Sequence, residues 1–323
     1  MRTVKVTEIG VEAEDVRTYR LAPAGGTAGE PMEPMQPYEP GAHIDVVTPC
    51  GSTRQYSLCG APDEDSYLIA VKRERPSRGG SESLHERIGV GDELVVSAPR
   101  NLFALAGEAS GHVLLAAGIG ITPLLAMAHR LLADGADFTL HYFASSAERA
   151  AFTETLGAPA FEGKVHLHFG VDRDTQLRIL GEVLPREEST VAGKHVYACG
   201  PKGFLARVEE LAVQRAMADR LHIEYFQPLE PAESGGDEFE LELDTGEVFP
   251  VAAGQSIVDV LEENGYDIET SCREGICGTC VLDVLEGSPE HRDNCLSRKE
   301  KEAGDRIAAC VSRSRTPRLV VEL

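Results

Sequence analysis

The pattern of apolar and polar positions divides the chain into segments of different rhythm. Residues 1–106 contain short apolar stretches separated by turn residues, such as HIDVV (43–47), RQYSL (54–58), YLIAVKR (67–73) and DELVVSAP (92–99), and one helical candidate near 82–88. Short strands at this spacing, interrupted by glycine- and proline-rich loops at 22–41 and 76–81, predict an antiparallel β-barrel.

Residues 107–227 alternate between buried-type strands and helical patterns. The predicted strands are VLLAA (113–117), FTLHYF (138–143), VHLHF (165–169) and HVYAC (195–199), and the predicted helices are PLLAMAHRLLADG (123–135), AERAAFTETL (147–156) and GFLARVEELAVQRAM (203–217). This alternation predicts an α/β domain with a parallel sheet, whose ligands bind beyond the carboxyl ends of the strands.

A stretch rich in proline, glycine and acid at 228–237 has the composition of a linker. Beyond it, residues 238–323 contain a predicted hairpin, a short helix and two further strands, which together indicate a small α+β unit. These are FELEL (239–243), VFPV (248–251), SIVDVLEENG (256–265), VLDVLEG (281–287) and RLVVEL (318–323). We therefore expect a multidomain protein with domains 1–106, 107–227 and 238–323.

Length and charge narrow the class of protein. A chain of 323 residues favours two or three domains. The sequence contains no run of about 18 apolar residues, which is the length that a membrane-spanning helix requires. The start, MRTVKVTEIG, reads as a strand rather than a signal peptide, so a cytoplasmic location is expected. The formal net charge of −22 argues against a nucleic-acid partner; it favours either docking on a basic protein surface or simple solubility.

Three cysteines fall close together in SCREGICGTC (271–280), and a fourth, Cys310, lies far downstream. The spacing Cys272-x4-Cys277-x2-Cys280 followed by a distant cysteine is typical of a plant-type [2Fe–2S] cluster, and glycines 275 and 278 let the loop curl around it. A structural zinc site in a non-redox binding module is the alternative, although such sites more often use two paired knuckles. Cys295 lacks glycine neighbours and is expected to be a spectator.

Two motifs in the other segments suit phosphate-bearing cofactors. In RQYS, Arg54 offers a fork of donors for a phosphate, Tyr56 a ring to pack on a flavin, and Ser57 a hydroxyl. In LLAAGIGITP (114–123), a strand runs through glycines into a helix that starts at Thr122-Pro123, which is a favourable site for a pyrophosphate. Pro123 replaces the third glycine of the usual dinucleotide fingerprint.

The cysteine motif, together with HRD (291–293) and AACVSRS (308–314), resembles the C-terminal β-grasp ferredoxin domain of the phthalate dioxygenase reductase family. The resemblance covers essentially the whole chain and implies the order flavin barrel, nicotinamide domain, ferredoxin domain. The implied FMN contacts are Arg54, Tyr56, Ser57, Val71, Lys72, Arg73, Gly79, Gly80, Ser81 and Phe226. The implied NAD contacts are Gly118, Gly120, Thr122, Pro123, Cys199, Gly200 and Pro201, and the implied cluster ligands are Cys272, Cys277, Cys280 and Cys310.

Several of these residues also have a purely structural interpretation. Cys199, at a buried strand end, can be a small core residue, and Phe226 can be an aromatic that closes a domain. Arg100 either contacts a phosphate or caps a loop. Two serines and Arg149 in ASSAERAAF (144–152) leave NADPH open, although the resemblance favours NADH.

The resemblance implies a reductase that passes electrons from NADH through FMN to the cluster and on to a terminal oxygenase, with a Rieske-type partner favoured. A cytochrome P450 partner and a stand-alone reductase of small acceptors are alternatives. FMN is needed because NADH delivers two electrons as a hydride, whereas the cluster accepts one at a time. No acid–base dyad is expected, and the family tends to monomers.

Overall fold

The computed structural model describes residues 1–25, 33–61, 65–75, 78–107, 109–185, 193–228 and 235–323. The chain divides into two units, Met1–Glu224 and Tyr225–Leu323. Parts of the predicted loops 22–41 and 76–81 and of the predicted linker lie outside the described residues. The proposed domain limits within the first unit, and the limits of the linker, stay predictions.

An antiparallel sheet forms the first part of unit 1. Its strands are Arg2–Ala13 (β1), Val16–Pro23 (β2), His43–Val47 (β3), Thr53–Ser57 (β4), Tyr67–Lys72 (β5) and Glu93–Val96 (β6), in the order β4-β3-β6-β1-β2-β5. The two edges meet through a bridge between Leu58 and Ile69, and the Cys59 amide donates to the Leu68 carbonyl at 2.9 Å. The predicted antiparallel barrel is confirmed, with helix α1 (Gly80–Arg87) following β5.

A five-stranded parallel sheet forms the second part of unit 1. Its strands are Gly111–Ala117 (β7), Phe138–Ala144 (β8), Val165–Phe169 (β9), Lys194–Cys199 (β10) and Leu221–Glu224 (β11), in the order β11-β10-β7-β8-β9. Chain order reverses between β7 and β10, and ligands of open α/β sheets bind at such a reversal. The helices of this part are Ile121–Ala133 (α2), Thr153–Leu156 (α3), Arg173–Val183 (α4) and Lys202–Gln214 (α5).

One predicted helix is wrong. The segment 147–156 is a short 3-10 turn, Ala147–Arg149, followed by the single turn α3. Phe152 adopts a positive φ of 62°, which interrupts a helix, and the Ala151 amide donates to the Tyr142 hydroxyl at 3.1 Å instead of to a helical carbonyl. In this part of unit 1, α4 and β11 were not expected from the sequence.

Unit 2 is a small α+β fold around one core. Strands Phe239–Leu243 (β12), Val248–Val251 (β13), Val281–Glu286 (β14), Arg306–Ala308 (β16) and Arg318–Glu322 (β18) form a sheet in the order β13-β12-β18-β14-β16, with a second pair at Pro289–Glu290 (β15) and Arg313–Ser314 (β17). Helix Ile257–Glu263 (α6) starts at a capping box made by Ser256 and Asp259, and helix Arg298–Ala303 (α7) at one made by Ser297 and Glu300. The predicted hairpin, helix and strands are confirmed.

Among the described residues, no helix combines the length and the apolar composition needed to cross a bilayer.

Buried histidines give unit 1 a specific sensitivity to acid. His43 and His141 are 6% and 7% exposed, and burial lowers the pKa of each to about 4. Such a group stabilises the folded state fully above the unfolded pKa of about 6.5, and that stabilisation is lost as pH falls through the folded value. We expect the urea midpoint to fall between pH 6.5 and 4. The free energy of unfolding should fall less steeply with decreasing pH in His141→Phe than in the parent, by up to ~1.4 kcal/mol per pH unit. Equal pH slopes of the unfolding free energy in the two proteins would contradict this assignment.

Candidate cofactor sites

The start of helix α1 and Arg54 of strand β4 lie together in the barrel, where the FMN phosphate is predicted to bind. Gly79, the residue before α1, has a φ of 93° and no side chain caps the helix. A Cβ placed on Gly80 would lie 3.0 Å from Cγ and 3.2 Å from Nε of Arg54, so the arginine packs directly against the first turn of the helix. Free helical amides beside a guanidinium suit a phosphate, which is the role predicted for Arg54, Gly79 and Gly80.

The other predicted flavin residues near α1 take part in hydrogen bonds and ion pairs within the protein. The Ser81 hydroxyl accepts from the Glu74 amide at 3.2 Å, which links Glu74 to the first turn of α1. Lys72 is exposed and pairs with Glu74 at 3.1 Å. Arg73 pairs with Glu82 and Glu86 of α1, and Val71 is buried and accepts through its carbonyl from His85. Lys72 and Arg73 are therefore both engaged in ion pairs with acidic side chains.

Tyr56 and Ser57 point to opposite faces of strand β4. Tyr56 packs against the barrel core, and burial raises its pKa well above the usual value. Ser57 is buried, opposite His43 in the β3–β4 ladder. Arg100 pairs with the buried Asp45 at 2.7 Å, which agrees with the loop-fixing alternative for this arginine.

The two predicted nicotinamide loops lie side by side at the reversal point of the parallel sheet. After β7, Gly118–Gly120 forms a 3-10 turn that leads into α2, and after β10 the chain continues as Cys199-Gly200-Pro201 into α5. A Cβ on Gly120 would lie 2.3 Å from the Cys199 carbonyl oxygen, so only glycine permits this approach. Thr122 donates to the Ile119 carbonyl at 3.1 Å, and Pro123 occupies the first turn of α2. All seven predicted nicotinamide residues lie at this edge.

Glu224 contacts both a predicted flavin residue, Ser57, and a predicted nicotinamide residue, Cys199, and this role was not expected from the sequence. Its carboxylate accepts from the Ser57 hydroxyl of the barrel and lies 3.9 Å from the Cys199 sulfur. Burial raises the pKa of Glu224 to about 8, and burial also holds the Cys199 thiol neutral by raising its pKa well above the usual value. Glu224 ends β11, directly beside Cys199 in the ladder. No local pattern in the sequence marks Glu224, because strand β11 was not predicted.

The four predicted cluster ligands lie at one end of unit 2. Cys280 directly precedes β14 and Cys310 follows β16, and these strands pair with Val281 opposite Ala308. The Ala309 amide donates to the Cys280 carbonyl at 3.0 Å and closes the ladder there. Long-range pairing therefore brings the downstream cysteine to the loop of the other three.

The loop between α6 and β14 directs backbone amides toward the sulfurs. Gly275 and Gly278 have φ values of 69° and 68°, and a Cβ on Gly275 would lie 2.6 Å from a Val311 methyl group. With this backbone, the Glu274 amide lies 3.3 Å from the Cys272 sulfur and the Cys272 amide 3.5 Å from the Cys277 sulfur. The Gly275 amide donates to Cys310. Such donors stabilise negative charge on ligand sulfurs.

The cysteine side chains form two hydrogen-bonded pairs, Cys272 with Cys277 and Cys280 with Cys310. In each pair the partner's hydrogen bond lowers the pKa of one thiol, to about 5 for Cys277 and in the same direction for Cys280. Two pairs suit two irons, each of which needs two thiolates besides the bridging sulfides. Across the described ranges, no group of three or more histidine, cysteine or acidic side chains is arranged for a single metal ion.

Cys295 has a different environment from the four paired cysteines. Its thiol donates to the carboxylate of Asp293 at 3.5 Å, and burial raises its pKa above the usual value. Asp293 is buried and also accepts from the Leu296 amide at 2.9 Å. Cys295 therefore belongs to a structural turn, which supports its interpretation as a spectator. Phe226 lies in unit 2 and is 37% exposed, and its contact with a flavin stays a prediction.

Comparison with known proteins shows the family of the chain. Residues 241–315 match the family model of the 2Fe-2S iron-sulfur cluster binding domain. The chain is 45% identical to a vanillate O-demethylase oxidoreductase of Pseudomonas putida, over 97% of this chain and 96% of that protein. The match to an iron–sulfur domain favours the [2Fe–2S] prediction over the zinc alternative.

Two solved structures show the same arrangement of elements. Phthalate dioxygenase reductase, described as a modular structure for electron transfer from pyridine nucleotides to [2Fe–2S], aligns with a TM-score of 0.68 at 33% identity, over 99% of this chain and 97% of that chain. An intact type IV self-sufficient cytochrome P450 monooxygenase aligns with a TM-score of 0.86 at 35% identity, over 100% of this chain and 41% of that chain.

Family membership confirms the predicted class of enzyme, an electron-transfer reductase, and the predicted cofactor set of FMN, NADH and a [2Fe–2S] cluster. Close relatives over the whole length, the neighbouring reductase structure and the cluster domain all agree with the cysteine and nucleotide motifs. The chain belongs to the phthalate dioxygenase reductase family, which includes the vanillate O-demethylase oxidoreductases.

Proposed function

We propose that this chain is the cytoplasmic reductase component of an oxygenase system whose terminal partner is a Rieske-type oxygenase. The observation that carries the proposal is the two-pair arrangement of Cys272, Cys277, Cys280 and Cys310 in a chain that also contains adjacent flavin and nicotinamide motifs. When bound, FMN accepts a hydride from NADH and passes electrons singly to the cluster. A separate terminal oxygenase then receives them.

The protein's own residues bind and orient the carriers. Arg54 and the free amides of α1 would hold the FMN phosphate, and the loops at Gly118–Gly120 and Cys199–Pro201 would accept the dinucleotide at the sheet edge. Ser57, Cys199 and Glu224 present uncharged hydrogen-bonding groups where the flavin and nicotinamide loops meet. Backbone amides of the cysteine loop stabilise the ligand sulfurs.

NADH is favoured over NADPH by the contacts of the segment after β8. Arg149, the cation available for a 2′-phosphate, forms two hydrogen bonds with Glu14 at 2.9 and 3.2 Å. The Ser146 hydroxyl donates to Glu148. Because both groups are engaged with carboxylates, a 2′-phosphate would have to displace them.

The Rieske assignment rests on the resemblance to the phthalate dioxygenase reductase family, and it is supported by the vanillate O-demethylase oxidoreductase of Pseudomonas putida, 96% of which this chain matches. A cytochrome P450 is the second candidate, because this chain also matches 41% of a self-sufficient P450 monooxygenase. Reconstitution with one purified oxygenase of each type, each supplied with its own substrate and NADH, distinguishes them. Product formation with the P450 alone would contradict the proposal.

A single substitution can separate the contribution of the cluster from that of the flavin. We expect Cys277→Ser to abolish reduction of the cluster and support of the oxygenase, because one iron loses a thiolate. NADH-dependent reduction of a dye by the flavin should remain near the parent level. Visible spectroscopy, inorganic sulfide content and dye reduction measure the three properties.

Cys295→Ser is the matched control for this experiment, because its hydroxyl can still donate to Asp293. It should keep the full sulfide content. If Cys295→Ser loses the cluster as completely as Cys277→Ser, the ligand assignment is wrong. If Cys277→Ser loses dye reduction while FMN stays bound, the order of carriers is wrong.

Arg54 is expected to determine FMN retention. Arg54→Ala removes the guanidinium beside the first turn of α1, so the purified protein should lose most of its FMN and keep its iron. Arg87→Ala removes an exposed arginine from the last turn of the same helix and should leave FMN bound. Flavin release on denaturation and iron analysis give the two stoichiometries; equal flavin content in both variants would place the phosphate elsewhere.

Glu224 is expected to make unit 1 less stable in alkaline solution. Its pKa is raised from 4.5 to about 8 by burial, so its contribution to stability is present below pH 4.5 and is lost as pH rises through 8. Glu224→Gln keeps a neutral group and should not show this loss. The stability difference between parent and variant should grow by up to ~1.4 kcal/mol per pH unit between those values.

Thermal unfolding of the parent and of Glu224→Gln at pH 5 and pH 8.5 measures this difference. Glu93→Gln, at an exposed position of β6, controls for the change of net charge. If the parent and Glu224→Gln unfold at the same temperature at both pH values, Glu224 is ionised in the folded protein.

A further inference from the structure

A cavity of about 210 Å³ lies in unit 2 beside the cluster ligand Cys310. Gly254–Asp259, at the start of α6, contributes Gln255, Ser256, Val258 and Asp259, and the segment after Cys310 contributes Val311, Ser312 and Arg313. Arg273 and Arg292 complete the lining. Cys310 is the one cluster cysteine that lines the cavity, so this space is distinct from the space between the four sulfurs.

The lining is basic although the surrounding unit is acidic. Residues 225–323 contain 22 aspartates and glutamates and 9 lysines and arginines, yet the side chains lining the cavity include three arginines and a single carboxylate. That carboxylate, Asp259, accepts from the Ser256 amide at 3.1 Å and pairs with Arg273 at 3.6 Å. The concentration of arginines here is therefore a local feature.

Arg313 is the most deeply buried of the three arginines. It is 4% exposed and donates to the carbonyl oxygens of Gln255, Asp237 and Ala252 at 2.6 to 3.1 Å. Within the described part of the chain, no carboxylate lies within ion-pair distance of it, and its Nε has no hydrogen-bond partner. Carbonyl oxygens satisfy donors but supply no net charge, so a buried guanidinium in this setting favours a nearby anion.

Arg273 and Arg292 are both held at the cavity by pairing with carboxylates. Arg273 pairs with Glu262 of α6 in addition to Asp259. Arg292 pairs with Glu290 at 2.9 Å and donates to the Gly235 carbonyl at 2.6 Å. Each guanidinium is thus fixed at the cavity wall.

We propose that this cavity is a binding site for a small carboxylate, held by Arg273, Arg292 and Arg313 beside the cluster ligand Cys310. Arginine forks match the two oxygens of a carboxylate, and Val258 and Val311 offer apolar contact to a short carbon body. The volume is smaller than that of pockets for drug-sized ligands, which limits the carbon body to a few atoms or one ring.

Binding in this cavity is linked to the oxidation state of the cluster, and this step rests on the proposed function. Reduction adds one negative charge to the group that Cys310 ligates, so it weakens binding of an adjacent anion. By linkage, the anion must lower the reduction potential by the corresponding amount. For a one-electron centre, an affinity ratio of about tenfold corresponds to a shift of about 59 mV.

The test uses the holoenzyme and two pairs of probes, acetate with acetamide and benzoate with benzamide, at constant ionic strength set with chloride. Titration calorimetry on the oxidised protein should give saturable binding of acetate, benzoate or both. The cluster potential should fall with the same concentration dependence, and the neutral amides should do neither. Absence of saturable carboxylate binding, or an equal response to the amides, overturns the proposal.

Variants assign the effect to the cavity. Arg273→Gln and Arg292→Gln should each weaken carboxylate binding by about tenfold or more, as expected for loss of a charged hydrogen bond. Arg298→Gln removes an exposed arginine of α7 that pairs with Glu302, so it makes the same charge change outside the lining and should bind like the parent. Equal weakening in all three variants would mean a general charge effect and would overturn the site.

The visible spectrum of each variant separates this proposal from the proposed function. A holoenzyme with an intact cluster, normal oxygenase support and no carboxylate binding contradicts the cavity alone. A protein that never assembles a [2Fe–2S] cluster contradicts the proposed function, whereas calorimetry on that protein still measures whether the cavity binds a carboxylate.

Discussion

The predicted cluster site depends on the antiparallel pairing of β14 with β16. Three of its cysteines are local in sequence, but Cys310 reaches them only because Val281 lies opposite Ala308 and the Ala309 amide bonds to the Cys280 carbonyl. A shift of one residue in this register would turn alternate side chains to the other face of the sheet and remove one thiolate from the site. The close approach of Gly275 to Val311 adds a second constraint, because a side chain at position 275 would clash with the segment after Cys310.

The same distinction between local and long-range structure explains what the sequence could predict. Spacing and glycines predicted the cysteine loop, and strand–glycine–helix order predicted the nicotinamide loops, because each is a property of neighbouring residues. Glu224 has no local pattern: its role follows from lying beside Cys199 in a parallel ladder and from receiving a hydrogen bond from Ser57 in the other sheet. The helix expected at 147–156 does not form for a related reason. The Ala151 amide donates to the Tyr142 hydroxyl, whereas in a continuous helix it would donate to a backbone carbonyl.

The two units differ in the charge that their predicted cofactor sites are suited to hold. Where the flavin and nicotinamide loops of unit 1 meet, burial keeps the Cys199 thiol neutral and raises the pKa of Glu224, so the side chains there carry little charge near neutral pH. In unit 2, hydrogen bonds lower the pKa of Cys277 and Cys280 and backbone amides surround the sulfurs, so the loop is built to hold negative charge. A neutral site suits hydride transfer between stacked rings, and an amide-lined site suits a thiolate-ligated cluster.

The arginines beside Cys310 extend this electrostatic argument beyond the ligand sulfurs. Arg313 fixes the backbone of three separate segments, and its ring contact with Phe239, at 5.2 Å, fills one face of the guanidinium. These contacts explain why an arginine is buried here, but carbonyl oxygens do not balance its charge. Arg273 and Arg292 are paired with carboxylates, whereas Arg313 has no carboxylate within ion-pair distance among the described residues, so an anion in the cavity would balance the charge of Arg313. A cavity of this charge next to a ligand of an electron-accepting centre couples the cavity's occupancy to the charge of that centre.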